Sequence, residues 1–530
     1  MNVAFLHFHL KPGGVTRVIL DQAQSCEELG YKYTILAGEN LQNLPGVQVI
    51  PQLNYDGTGS DALGPQGLGQ IIFQTLARAP WPQILHIHNP LLAKNSQLLP
   101  ALNELFGLLA QAGAPTQILF QVHDLAEDGR PAAYSPEAYP TKVFYGFLNS
   151  RDRELFTRHC PDSRGIFLLP NRVRPLPEPE DFAEPCSETG QVVKSGQSLG
   201  PDQSKQAKNP NDCILPRLFH HFTGSSNNTI DQYLVYPVRA IPRKNIGEAL
   251  ALTLLLERTG IAITLPPNNP ADQQQYQYWK QAAQDLNCPV AFEAGNTCTF
   301  EPLLAQAAAA VTTSVQEGFG FAFLEPWTIG LPVTGRYIPG VCQDFSQAGL
   351  KQDLLYEDLK IPVDLVDMDL FENTWVSLVQ ESIRIYQVTG TNDPHILQTL
   401  AQEVPGIFSQ RFQGDFLDFG ALTRESQTQV LQHLRQAEHR WAIRSMNPIL
   451  ETMETLNQWK QDRGKAILQH NRDLTLDHWG AAASAKNLER VYQTMMNSQR
   501  PGYAQKTEPV DKQGLLMDYL DPWQFMAGGR

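Results

Sequence analysis

Two blocks of alternating short apolar runs and amphipathic stretches, separated by a long polar stretch, constrain this chain more than any other feature. In the first block the pattern predicts strands over 2–8, 32–36, 84–88, 117–122, 144–149 and 165–169, with helices over 15–29, 66–79, 96–113 and 151–159 between them. Strands that alternate with helices pair in parallel, because each crossover helix returns the chain to the same end of the sheet. Residues 175–231 then turn rich in Pro, Ser, Gln, Gly and Asn, the composition of a solvated connection. A second block predicts strands over 233–238, 261–265, 290–293 and 309–313, helices over 245–259, 272–286 and 300–306, and a helix containing 324–329. Beyond 403 the pattern is helical and polar, with 424–463 the longest candidate and 474–496 another.

The expected organisation is a Rossmann-like domain over 1–175, a polar linker or insertion over 176–231, a second Rossmann-like domain over 232–403, and a mainly helical extension over 404–530 that packs on both halves. At 530 residues the chain is too long for one core, which agrees with two α/β halves. Lys and Arg number 41 against 55 Asp and Glu, a net charge of −14 that opposes binding to nucleic acid. The longest apolar stretch, around 303–315, falls short of the ~20 residues of a membrane span. Residues 1–10 lack a basic lead and are interrupted by His7 and His9, so they read as a strand and not a signal peptide, and the expected location is cytoplasmic. Seven cysteines are scattered with no Cys-x-x-Cys pair and read as thiols.

Gly13 and Gly14 follow the first strand and precede a helix, so the backbone there could approach a phosphate or sugar, or could simply make a tight turn. His86 and His88 lie on one face of a strand end; with no third ligand evident, cleft lining is favoured over metal binding. His123 ends the next strand, where ligands of open α/β sheets gather. The turn from Arg239 through Pro242 and Arg243 to Lys244 stands between a strand and a helix, and is either an anion site or a solvated basic turn. Glu317 and Glu325 flank Gly318, Phe319 and Gly320; carboxylates only accept hydrogen bonds, which suits the hydroxyls of a sugar and a ribose.

Taken in order, the Gly-Gly loop, His-x-His strand, Val122-His123-Asp124, Leu169-Pro170-Asn171, Arg239-x4-Lys244 and Glu317-x7-Glu325 resemble the retaining nucleotide-sugar glycosyltransferases of family 4, which have the GT-B fold. The resemblance covers most of residues 1–345. It implies an α/β chain of two facing Rossmann-like domains with a cleft between them. By the same resemblance Arg239 and Lys244 hold the donor diphosphate, Glu317 binds the hexose and Glu325 the ribose. Gly14, with Gly13, serves the phosphate or acceptor side, His123 lies near the reacting carbon, and the 318–320 backbone lines the sugar pocket. Neither metal nor cofactor is implied, since the cations stabilise the leaving diphosphate, and the anomeric configuration is retained.

Three departures stand out: Arg172 replaces a glycine after Asn171, Val238 replaces one before Arg239, and Pro326 follows Glu325 inside an expected helix. Asp367-Met368-Asp369 resembles the metal-binding Asp-x-Asp of the other glycosyltransferase fold but lies outside the nucleotide half, and is read as chance. Residues 1–175 hold 13 Lys and Arg against 14 Asp and Glu, which gives no attraction to anionic lipid, so a soluble acceptor is expected alongside the nucleotide-sugar donor. The stretch 312–344 is similar to a branch of the family expected to make small glycosides of the compatible-solute type. The competing readings are a phosphorylase-like enzyme, a non-catalytic scaffold that binds sugar or a partner, and a lipid or polysaccharide glycosyltransferase.

Overall fold

Seven strands form the first sheet: β1 (Asn2–His7), β2 (Lys32–Ala37), β3 (Val47–Val49), β4 (Ile84–His88), β5 (Gln117–Val122), β6 (Phe144–Phe147) and β7 (Gly165–Leu168), in the order β3-β2-β1-β4-β5-β6-β7. Six form the second: β8 (Gln232–Arg239), β9 (Thr259–Leu265), β10 (Val290–Ala291), β11 (Ala309–Thr312), β12 (Val333–Arg336) and β13 (Leu355–Tyr356), in the order β10-β9-β8-β11-β12-β13. Every pairing in both sheets is parallel. Helices cover both faces, so the central strands β4 (Ile-Leu-His-Ile-His) and β5 (Gln-Ile-Leu-Phe-Gln-Val) are buried along their whole length, their polar side chains included. The two halves face each other, touching through Asn149 on Gly318 and Ser150 on Asp344, with a helical C-terminal region. The computed structural model describes residues 1–41, 43–57, 63–78, 80–176, 214–220, 229–388, 393–499 and 509–529.

In each sheet the strand order reverses beside the first strand, between β1 and β4 and between β8 and β11. Crossover helices leave in opposite directions there, so a crevice opens at the strand carboxyl ends. His7 ends β1, His88 ends β4, and the Arg239–Lys244 turn and the 313–317 loop follow β8 and β11.

Three predicted helices differ from the structure. The helix expected over 245–259 is Ile246–Leu255; Arg258 takes φ 53, and Thr259 already begins β9. Its β-branched neighbours Ile261 and Ile263 suit the pleated, buried strand. The long helix expected over 424–463 is four helices, Arg424–His433, Ala437–Met446, Ile449–Glu454 and Leu456–Gln461. Pro448 disfavours helical geometry at Asn447, whose amide instead bonds both the N–H and the carbonyl of Lys360 at 2.9 Å. The helix expected over 474–496 is split at Gly480 into Gly464–Trp479 and Ala481–Asn497. A side chain at Gly480 would lie 2.2 Å from the Leu476 carbonyl oxygen, so only glycine permits this bend.

Two long helices, Met368–Val388 and Pro394–Arg411, went unpredicted, and the second crosses residue 403. A small antiparallel pair, β14 (Lys360–Pro362) with β15 (Phe416–Asp418), also joins the two sides of that position. Asp367 caps the helix beginning at Met368, accepting from the Leu370 N–H at 3.0 Å. The C-terminal helices touch both halves. Leu488, Val491, Tyr492 and Met495 share a core with β1 and β4, while Trp479 packs on Phe345 with ring centroids 5.2 Å apart.

Of the expected 176–231 insertion, 177–213 and 221–228 lie outside the described residues; Leu215–Leu218 forms one helical turn, and Phe219 packs on Tyr233 of β8. The five described cysteines are free and buried, while Cys186 and Cys213 fall outside the described residues. Among the described residues no helix is long and apolar enough to cross a membrane.

Candidate active site

After β8 the chain makes a short 3-10 turn, Pro242–Lys244, and Asn245 takes the left-handed conformation at φ 48 before the next helix starts. This turn is tied to the end of β11. The Tyr236 and Thr313 hydroxyls both donate to the Lys244 carbonyl at 2.9 Å, and the Val315 N–H donates to the Arg243 carbonyl at 3.0 Å. Lys244 and Arg243 are therefore presented side by side against the loop after β11. The buried Lys244 ammonium is ion-paired with Glu317. Burial alone would push the Glu317 carboxyl up, but Lys244 and Arg243 outweigh it and hold it below the usual range.

Glu317 opens the glycine loop. Gly318 lies so close to the first half that a side chain would meet the His123 carbonyl at 2.9 Å, and its own carbonyl accepts from the Asn149 amide at 2.8 Å. Gly320 caps the helix Phe321–Leu324 at φ 84, a conformation that suits glycine. Phe319 turns into the core, its ring packed beside Phe321 and Phe345. Pro326 costs little where it stands: the α-helix ends at Leu324 and Pro326 sits in the first turn of the 3-10 helix Glu325–Ile329, which stops at a left-handed Gly330. Glu325 faces the first half and is ion-paired with Arg17.

In the first half, Gly13 and Gly14 are exposed, with nothing within 4 Å of a side chain built at Gly14. The helix they start carries Arg17, which also lies 4.8 Å over the Phe321 ring. His7, His86, His88 and His123 form one buried group. The His86 and His88 rings stack at 4.5 Å, His86 Nδ1 bonds the Tyr492 hydroxyl at 2.8 Å, and His88 Nδ1 bonds His123 Nε2 at 3.0 Å. Burial lowers His7 and His86 to about 3 and His123 to about 4, and pushes His88 well below its usual value, so all four are neutral. No group among the described residues has the arrangement to hold a metal ion. The Asn89 side chain, at φ 57, accepts from the His123 and Asp124 N–H groups at 3.0 and 3.2 Å and so fixes the loop that follows β5.

The fold thus brings together His123, Lys244, Glu317 and Gly318, while on the other flank Glu325 meets Arg17, on the helix that Gly14 begins. Arg239 stands exposed at the end of β8, its head 3.4 Å from the Pro266 carbonyl, away from Glu317. Arg243, part of the basic turn but given no role of its own by the motif, lies 3.8 Å from Asp124 of the Val122-His123-Asp124 strand end, and Arg130 and Asp128, which no motif includes, lie around it. Arg130 binds Asp124 at 2.6 Å and, with Arg243, outweighs burial to hold that carboxyl below its usual range. Arg243 and Asp124 were visible within the basic turn and the Val122-His123-Asp124 motif; Asp128 and Arg130 sit in a loop whose conformation no motif announces. Gln316 donates to the Asp128 carbonyl at 2.9 Å, and the Ser150 N–H to Asp344 at 2.8 Å, so the halves touch on both sides of Glu317.

No protein-family model matches the chain. Its sequence is 22% identical over 454 residues to mannosylglucosyl-3-phosphoglycerate synthase of Petrotoga mobilis, a match that covers 80% of each protein. A glycosyltransferase from Rickettsia africae aligns with 94% of this chain and 99% of its own at 10% identity and a TM-score of 0.49. Anabaena HepE in complex with UDP and glucose aligns with 93% of this chain and all of its own, at 12% identity and a TM-score of 0.48.

Proposed function

We propose that this chain is a retaining, metal-independent hexosyltransferase that moves a sugar from a nucleotide-diphosphate donor to a soluble acceptor in the cytoplasm. The observation that carries the reading is the contact of Lys244 and Arg243 with Glu317 at the β8–β11 switch, directly against the His123–Asp124 strand end of the other half. Without a donor the buried cation and carboxylate neutralise each other. A bound donor offers each a better partner, diphosphate oxygens for Lys244 and Arg243, and sugar hydroxyls for Glu317.

As the bond from the anomeric carbon to the diphosphate oxygen breaks, negative charge grows on the leaving group. Fixed cations in a site shielded from water stabilise that charge more in the transition state than in the ground state. The acceptor hydroxyl bonds to the anomeric carbon on the face the diphosphate leaves, and its proton passes to a diphosphate oxygen. No carboxylate nucleophile is required, and neutral His123 offers its backbone and ring without competing for the phosphate charge. Gly13 and Gly14 leave open backbone on the donor side, and Glu325 takes the ribose once released by Arg17. The sequence likeness to a synthase whose named product is a glycoside supports the same chemistry.

The test is to incubate the purified protein with UDP-, GDP- and ADP-hexoses without added divalent metal, follow nucleotide release, and determine the anomeric configuration of the product by NMR. If no donor is bound or consumed and Lys244→Ala changes nothing, the transferase reading fails.

A further inference from the structure

Beside Glu317 the cleft widens into a chamber of about 830 Å3. Asn149 and Arg151 of the first half form one wall, and Tyr337 and Asp358, after β12 and β13, form the second. The third wall belongs to the C-terminal extension, through Tyr519, Gln524 and Phe525. Val315, Gln316 and Glu317 make its inner edge, so a molecule held there lies against the proposed reacting centre. The donor flank with Gly14, Arg17 and Glu325 contributes nothing to this lining.

The chamber's chemistry is that of a hydroxyl binder. Three arginines line it against five carboxylates, those of Asp128, Glu317, Glu357, Asp358 and Asp418. The arginines are engaged. Arg336 forks between Glu248 and Asp418, Arg411 donates to the Pro522 and Phe525 carbonyls at 2.8 Å, and Arg151 lies between Asp128 and Asp152 at 3.9 and 3.8 Å. An anionic molecule would meet walls with a surplus of negative charge. Sugar hydroxyls donate to carboxylates and amide oxygens, and the aromatic faces of Tyr337 and Phe525 suit the apolar faces of a sugar ring.

We propose that this chamber is the acceptor site, that it takes a neutral polyhydroxylated acceptor, a free sugar or a small glycoside, and that the C-terminal extension sets its specificity. The assignment rests on the transferase reading for its place in the reaction. The extension is built into the wall. Lys512 donates to the carbonyls of Ser135 and Glu137, the latter at 3.0 Å, and the Tyr519 hydroxyl donates to Asp152 at 2.8 Å. This acceptor differs in charge from the phosphoglycerate glycoside in the name of the Petrotoga relative.

The experiment uses the full chain with glucose, sucrose and glycerol as neutral probes and glucose 6-phosphate and 3-phosphoglycerate as anionic ones. Binding is followed by saturation-transfer NMR and transfer by product formation from a donor the protein consumes. Neutral probes are expected to bind and to be glycosylated with kcat/KM at least about tenfold above the anionic ones. Gln524→Ala and Asp358→Asn, both at exposed positions, are expected to raise the KM of the neutral acceptor about fivefold. Donor KM and acceptor-free donor hydrolysis should stay within about twofold. The proposal is overturned if anionic probes are preferred, if no neutral probe binds or accepts, or if both variants leave the acceptor KM unchanged. Binding needs no turnover, so the two readings fail separately. Neutral-sugar binding that weakens in the variants while no donor is consumed upholds the chamber as a sugar site and rejects the transferase; donor hydrolysis without neutral-sugar binding does the reverse.

Discussion

Arg17, in the first turn of the helix after β1, is ion-paired across the cleft with Glu325 of the second half, the carboxylate proposed to receive the donor ribose. Burial pushes the Glu325 carboxyl up while Arg17 pulls it down, so the arginine is its counter-ion as long as the ribose is absent. The two partners should then respond with opposite signs. Glu325→Gln is expected to weaken UDP or GDP binding about tenfold, the worth of a hydrogen bond to a charged group. Arg17→Ala should strengthen it by up to about fivefold, because a partly exposed pair holds roughly 1 kcal/mol that the nucleotide no longer has to displace. Calorimetric titration of both variants decides the matter, and equal losses in both would contradict the arrangement.

Lys244 is buried and the Glu317 side chain is largely covered beside it, so removing one strands the other. Lys244→Met is expected to destabilise the fold by about 3 kcal/mol, since a buried carboxylate losing its partner costs that much, with Arg243 offsetting part of it. The double variant Lys244→Met/Glu317→Gln should recover most of the loss in Tm yet remain at least about a hundredfold down in kcat, as removal of charge stabilisation predicts. Recovery of activity together with stability would show the pair to be structural alone.

Arg243 and Arg239 give a sharper comparison. Arg243 lies 3.8 Å from Asp124 and beside Glu317, whereas Arg239 is exposed on the far side of the turn. Arg243→Ala is expected to lower kcat/KM for the donor by about a hundredfold and Arg239→Ala by no more than about tenfold. The reverse order would mean that the exposed side chain swings onto the diphosphate and that Arg243 only supports the loop.

The four buried histidines set a pH dependence of stability. Their folded values, about 3 to 4 where they are fixed, lie below the 6.5 of a free imidazole. Between those values the unfolded chain binds protons that the folded chain excludes, so stability rises with pH across that window and falls as pH drops from about 6.5 toward 4. Each histidine contributes up to about 1.4 kcal/mol per pH unit. Urea midpoints at pH 7, 6 and 5 should decline steeply, and His7→Asn, which keeps a donor toward the His88 carbonyl, should flatten the decline by about one histidine's share. Parallel profiles for wild type and variant would exclude this origin.

Most strands of both sheets were legible because short apolar-rich runs alternate with crossover helices that carry one apolar stripe each, whereas β3, β12 and β13, only two to four residues long, were too short for periodicity to reveal. The site was legible where a residue type is forced by backbone geometry. Gly318 and Gly320 stand where a side chain would collide, and Gly330 ends the turn that makes Pro326 acceptable. The C-terminal half of the chain read poorly for a physical reason. Its helices are held by contacts distant in sequence, such as Asn447 on Lys360 and Tyr492 on His86, and local periodicity carries no trace of them.

The sequence by itself determined two doubly wound α/β halves, the order of their motifs, and the turn and loop that bear Lys244 and Glu317, because periodicity and backbone-forcing residues act over short range. Only the tertiary structure decided which of the cations in the basic turn faces the cleft, that Arg17 covers Glu325, and that the C-terminal extension walls a chamber beside the site. Those outcomes depend on which buried charges find partners once the chain has closed on itself, and a buried charge is paired by three-dimensional proximity, which the order of residues alone leaves open.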